Sequence, residues 1–125
     1  PLELSPFQLS LNELGYFGSK HKPRVFWIAP SHSGELLALH QLLVPILISL
    51  NFDLGTKPYC PHITLARGRW KIKSSDRDAL IVKNFYQQSV ISQPFWVDEF
   101  VLFDSRDGEK GREYIAIRKF QLDRN

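Results

Sequence analysis

A chain of 125 residues and 14.5 kDa is long enough for one hydrophobic core without disulfides or metals. Its 43% hydrophobic and 23% charged residues are an ordinary globular composition, which argues against a disordered or membrane-embedded chain. A formal net charge of +3 with a pI near 9.2 permits an anionic ligand without requiring one.

Phe7, Leu9 and Leu11 alternate with Gln8, Ser10 and Asn12, the period of a half-buried strand, and "GYFGSKHKPR" supplies the turn after it. "VFWIA", Val25 to Ala29, reads as a buried strand ended by Pro30. A helix follows. Ser31 or Ser33 caps it, Glu35 suits its positive end, and Leu36, Leu39, Leu43, Ile46 or Leu47, and Leu50 recur at helical spacing. Pro45 removes one backbone hydrogen bond and predicts a kink. The apolar run "LLALHQLLVPILISL" is interrupted by His40, Gln41 and Pro45 and is too short for a membrane span, so it reads as a core helix.

The turn-rich "NFDLGTKPY" leads into a strand that carries His62. "SSDRDALIVKNFYQQ" predicts a second helix through Leu80, Ile81 and Phe85. The chain closes on a hairpin, "FWVDEFVLF" and "EYIAIRKFQL" around "DSRDGEKG". With strands and helices alternating irregularly and no repeat or linker, the pattern predicts one α+β domain over residues 1–125.

Residues two apart in a strand share a face, so His62 and Thr64 present an imidazole and a hydroxyl side by side. That pair suits phosphate chemistry: the imidazole moves a proton near neutral pH and the hydroxyl donates to a non-bridging phosphate oxygen. His-x-Thr is also a very common tripeptide, and from spacing alone a strand histidine with a satisfied hydrogen bond is the favoured reading.

The longer string "PHITLAR" is more specific. Together with "LGYFG", "RVFWIA", the leucine-rich helix, "VDEFVLFDS" and "REYIAIRKFQL", it resembles the second His-x-Thr motif and surroundings of the two-histidine phosphoesterase superfamily. Within it, the similarity is to the bacterial and archaeal 2'-5' RNA ligases, or RNA 2',3'-cyclic phosphodiesterases. The resemblance implies a bilobal α+β fold of antiparallel sheets flanked by helices, with one His-x-Thr motif from each pseudo-symmetric half in a central cleft. One histidine would serve as base toward water and the other as acid toward the leaving ribose oxygen. A terminal 2',3'-cyclic phosphate would open to a 2'-phosphate, with 2'-5' ligation implied as the reverse activity. His62 and Thr64 would be catalytic and Arg67 substrate-binding, with no cofactor and no metal. The expected partners are RNA ends or nucleotide 2',3'-cyclic phosphates, for a monomer with no membrane association.

One departure matters. His21 is followed by Lys22 and Pro23, His32 by Ser33 and Gly34, and His40 by Gln41 and Leu42, so none begins a His-x-Thr motif. The resemblance therefore places the first motif upstream of Pro1, and the domain is expected to be incomplete at its N-terminus. The chain also contains no Met, which fits a truncated start and equally the removal of an initiator before the small residue Pro1. A non-catalytic nucleotide- or RNA-binding module of the same fold is the alternative function, and a structural fragment without ligand a third.

Strict strand alternation sets Arg67 on the face opposite His62 and Thr64 unless the strand bulges. Arg67, Arg69, Lys71, Lys73 and Arg77, with Trp70 among them and Asp76 the single acid, form a basic stretch that fits either an RNA backbone or a solvated edge. Tyr16, Phe17 and Trp27 fit a nucleoside pocket or, more simply, the core. The one cysteine, Cys60, has no partner for an internal disulfide and lacks the companions a metal site needs. With no apolar leader at the start, it favours a reducing cytoplasm.

Overall fold

Within residues 4–71, 83–84 and 92–123, which the computed structural model describes, there are seven strands and one helix. The strands are β1 (Phe7–Leu9), β2 (Glu13–Gly18), β3 (Pro23–Ala29), β4 (Ile63–Arg67), β5 (Phe95–Val97), β6 (Glu99–Gly108) and β7 (Gly111–Gln121), and the helix is α1 (Gly34–Ser49). All described pairings are antiparallel, in three small sheets ordered β1-β5, β2-β3-β4 and β6-β7. The chain forms two compact units, one from residues 1–9, 35–52 and 95–125, the other from 10–34 and 53–94.

In the first unit, α1 supplies Leu39 to a core shared with Phe7 of β1 and Leu122 just after β7. Leu36 and Leu43, one turn to either side, pack against the same cluster with Leu4, Leu9, Val97 and Phe100. Burying one such leucine contributes about 1.5–3 kcal/mol. The expected stripe is only half used, since Ile46 and Leu50 are exposed among the described residues. The helix runs through Pro45 and ends where Asn51 turns left-handed (φ 67°). The Phe52 N–H then donates to the Leu47 carbonyl and the Asn51 N–H to that of Ile48, which satisfies the last-turn carbonyls in a Schellman arrangement.

The terminal hairpin differs from expectation in its extent. Phe95–Val97 is a separate strand paired with β1, and Asp98 interrupts it from β6. Beyond that point β6 and β7 stay paired as far as Gly108 and Gly111, so Glu109 and Lys110 alone make the turn. Gly111 adopts φ +115°, a conformation only glycine takes easily.

The second unit is built on the β2-β3-β4 sheet with β3 in the middle. "GYFG" belongs to β2 and not to the turn, which is confined to Ser19–Lys22, and β3 starts at Pro23. The first strand is correspondingly shorter than the alternation of Phe7, Leu9 and Leu11 suggests, because Leu11 instead exchanges hydrogen bonds with Ser92. The second helix expected from "SSDRDALIVKNFYQQ" lies outside the described residues apart from Lys83 and Asn84, which are helical.

Candidate active site

His62 stands immediately before β4, and Thr64 and Arg67 lie within it; all three are exposed. Their relative facing follows from the ladder with β3. Trp27 pairs with Thr64 and Phe26 with Ala66, so Leu65 is an extra residue, a β-bulge, before Val25 pairs with Arg67. Directly opposed residues share a face, as do Trp27 and Val25, two apart in β3. The bulge thereby returns Arg67 to the face that carries Thr64. Strict alternation, which separates them, does not hold in this strand.

Across the sheet, Gly15 pairs with Trp27 and Phe17 with Val25, which adds both β2 residues to the same face. The His62 ring completes the group. It meets the Phe17 ring edge-on, centroids 4.9 Å apart at 90°, and lies 6.3 Å from the Trp27 ring. Phe17 and Trp27 are themselves 5.7 Å apart. Tyr16 pairs with Phe26 and so occupies the opposite face, which separates it from the other two aromatics.

Space for this cluster comes from Gly15. A Cβ there would collide with the six-membered ring of the Trp27 indole, which lies across the glycine backbone. A glycine inside a strand pattern signals such a close approach, and it is the sequence clue to this residue. The indole Nε1–H is buried without a hydrogen-bond partner among the described residues, so packing rather than polar contact holds the ring.

His62 Nδ1 lies 2.7 Å from the Cys60 carbonyl oxygen. A carbonyl has no proton to give, so Nδ1 must carry the hydrogen and donate it. In the neutral ring this fixes the tautomer and leaves the Nε2 lone pair to accept a proton. Sequence patterns do not show this orienter, because it is main chain. The Cys60 thiol is free and exposed. Beside it, the Tyr59 phenol has its pKa raised, first by partial burial and then by the charge of Cys60.

His21 lies in the β2–β3 turn, His32 precedes α1, and His40 is within α1, in the other compact unit. Trp70 packs against Phe26, ring centroids 5.1 Å apart, and its indole covers Gly68. Lys73 and Arg77 lie outside the described residues.

A family model described as the 2'-5' RNA ligase superfamily matches residues 2–109. The chain belongs to this superfamily. Among its superfamily relatives are proteins named RNA 2',3'-cyclic phosphodiesterase from Geobacillus stearothermophilus and Bacillus subtilis, both 32% identical, over 123 and 120 residues respectively. The alignments cover 94% and 96% of this chain but 36% and 61% of those relatives, so the chain spans less than two thirds of their length. The crystal structure of Escherichia coli LigT complexed with 3'-AMP superposes with a TM-score of 0.73 at 19% identity, covering 98% of this chain and 63% of LigT. A protein of Thermus thermophilus gives 0.64 at 25% identity, with 96% and 63% covered. The α+β architecture is that of the LigT-like two-histidine phosphoesterases. Among the described residues no helix is long and apolar enough to cross a membrane.

Proposed function

We propose that the protein hydrolyses terminal RNA 2',3'-cyclic phosphates to 2'-phosphates, with His62 as one of two proton carriers. The supporting observation is the His62 imidazole itself, with Nδ1 held by the Cys60 carbonyl and Nε2 left for proton transfer, on the face that carries Thr64 and Arg67. Water attacks phosphorus, the bond to the 3'-oxygen breaks, and that oxygen takes a proton. One imidazole accepts the proton of water and the other supplies the leaving oxygen. Thr64 donates its hydroxyl hydrogen to a non-bridging oxygen, and the Arg67 guanidinium balances the charge that grows there. A 5'-hydroxyl in place of water would give a 2'-5' linkage by the same transfers.

The 125 residues contain one His-x-Thr motif, so the proposed mechanism requires a second proton carrier besides His62. A binding module that retains the cyclic end without opening it is the second reading, and it holds if the intact protein supplies no second proton carrier to the site. Assays of the intact protein on a short RNA ending in a 2',3'-cyclic phosphate separate the two. Hydrolysis is expected, lowered about 10² to 10⁴-fold by His62→Ala with binding nearly unchanged. Thr64→Ala costs less, since water partly replaces one hydrogen bond, and EDTA has little effect. Full activity in His62→Ala, or complete loss with EDTA, overturns the mechanism.

A further inference from the structure

The β2–β3 turn and the exit of β4 lie at one end of the same sheet, where the Gly68 N–H donates to the Arg24 carbonyl at 3.0 Å. This end gathers Lys20, Lys22, Arg24, Arg67, Arg69 and Lys71, all exposed. No Asp or Glu occurs between Gly18 and Arg24 or between Arg67 and Lys71. None of the six is ion-paired with a described residue.

The concentration of charge is not a reflection of overall composition. The chain has 16 Lys and Arg against 13 Asp and Glu; without these six, ten cations face the same thirteen acids. The net positive charge of the whole chain therefore resides at this sheet end, and the remainder is acidic. The turn is also fixed in shape. Gly18 has φ +107°, a Cβ on it would come within 2.7 Å of the Lys22 carbonyl oxygen, and Ser19 and Lys22 exchange two backbone hydrogen bonds of 3.3 and 3.1 Å. Lys20 and Lys22 are thus held in a turn of fixed shape at the sheet end where β3 is tied to the exit of β4.

From His62, just before β4, the chain passes Thr64 and then Arg67, and at about 3.3 Å per strand residue this row leads from the imidazole into the basic end. We propose that this end is the track for the single-stranded RNA preceding the cyclic terminus, so that the site selects polynucleotide ends over mononucleotides. This rests on the phosphodiesterase reading above. A terminal phosphate at His62 and Thr64 leaves the next phosphates of a strand to run past Arg67 onto Lys20, Lys22 and Arg69, where each neutralised phosphate releases counterions. A mononucleotide has no further phosphate to offer and gains nothing from them.

The test is the triple variant Lys20→Ala/Lys22→Ala/Arg69→Ala of the intact protein, with the wild type, on two substrates. For an oligoribonucleotide ending in a 2',3'-cyclic phosphate, KM is expected to rise about tenfold at low salt, while kcat/KM for a nucleoside 2',3'-cyclic monophosphate changes less than about twofold. In parallel, fluorescence anisotropy follows binding of an oligoribonucleotide ending in a 2'-phosphate, whose log–log salt slope is expected to become shallower by about two in the variant. Equal effects on both substrates, or an unchanged salt slope, mean a merely solvated edge and overturn the track. Should the wild type hydrolyse neither substrate, the phosphodiesterase reading falls while the anisotropy still decides the track.

Discussion

Gly15 and His62 are not neighbours in sequence, yet the geometry links them through two aromatic rings. The Trp27 indole lies on the Gly15 backbone, Phe17 stands beside Trp27, and the His62 and Phe17 rings meet edge to face. With Nδ1 tied to the Cys60 carbonyl, the imidazole is held both by a hydrogen bond and by packing. A methyl group at position 15 displaces the indole, which has no hydrogen bond among the described residues to hold it in place. Gly15→Ala is therefore expected to lower kcat by up to about 10²-fold, the scale of a 1 Å misplacement of a catalytic group, with a smaller change in KM. Steady-state kinetics supply that measurement, and ¹⁵N NMR of the histidine side chains reports whether His62 keeps its Nδ1–H tautomer. Wild-type kcat in a folded Gly15→Ala protein would show that the aromatic pair does not position the imidazole. The string "PHITLAR" singles out His62 and Thr64 as candidates from the sequence alone, whereas the role of Gly15 depends on which tryptophan crosses the strand, and that is set by the partner strand.

At the scale of the element, β4 shows how one inserted residue changes what a motif presents. Thr64 and Arg67 are three apart, which in a regular strand puts them on opposite faces; the Leu65 bulge restores them to one. Composition gave no sign of the bulge, because Leu65 and Ala66 suit a continuous strand equally well and the extra residue becomes visible only in register with β3. The consequence is testable by moving the guanidinium one position. Arg67→Ala is expected to weaken the binding of the cyclic end by about 1.5–3 kcal/mol, the range of a hydrogen bond to a charged group. Ala66→Arg added to it should not recover that loss, since position 66 pairs with Phe26 on the other face. Inhibition by a product-like 2'-phosphate reads the affinity of each variant. Recovery by arginine at 66 would mean that strict alternation describes the working strand after all.

For the whole molecule, the chain passes between its two compact units four times, after Leu9, Gly34, Phe52 and Pro94. The α+β class and the helix were legible because both rest on local periodicity, but the pairing of β1 with β5 joins distant segments that no local pattern relates. The same division separates the residues that hold the fold from those assigned to chemistry. Leu39, 6% exposed, anchors the core of one unit with Phe7 and Leu122, while His62, Thr64 and Arg67 belong to the other and are exposed. Leu39→Ala is expected to cost about 2–5 kcal/mol, through lost transfer energy and the cavity left behind. Against a total stability of about 5–15 kcal/mol that is a large share, and the melting temperature should fall clearly. His62→Ala removes an exposed ring and should stay within about 0.5 kcal/mol of the wild type while abolishing most turnover. Circular-dichroism melts and initial rates taken below the lower transition make the comparison. A folded Leu39→Ala protein should keep kcat near the wild-type value; if it loses as much kcat as His62→Ala at a temperature where both are folded, stability and chemistry are not divided between these residues as their placement requires.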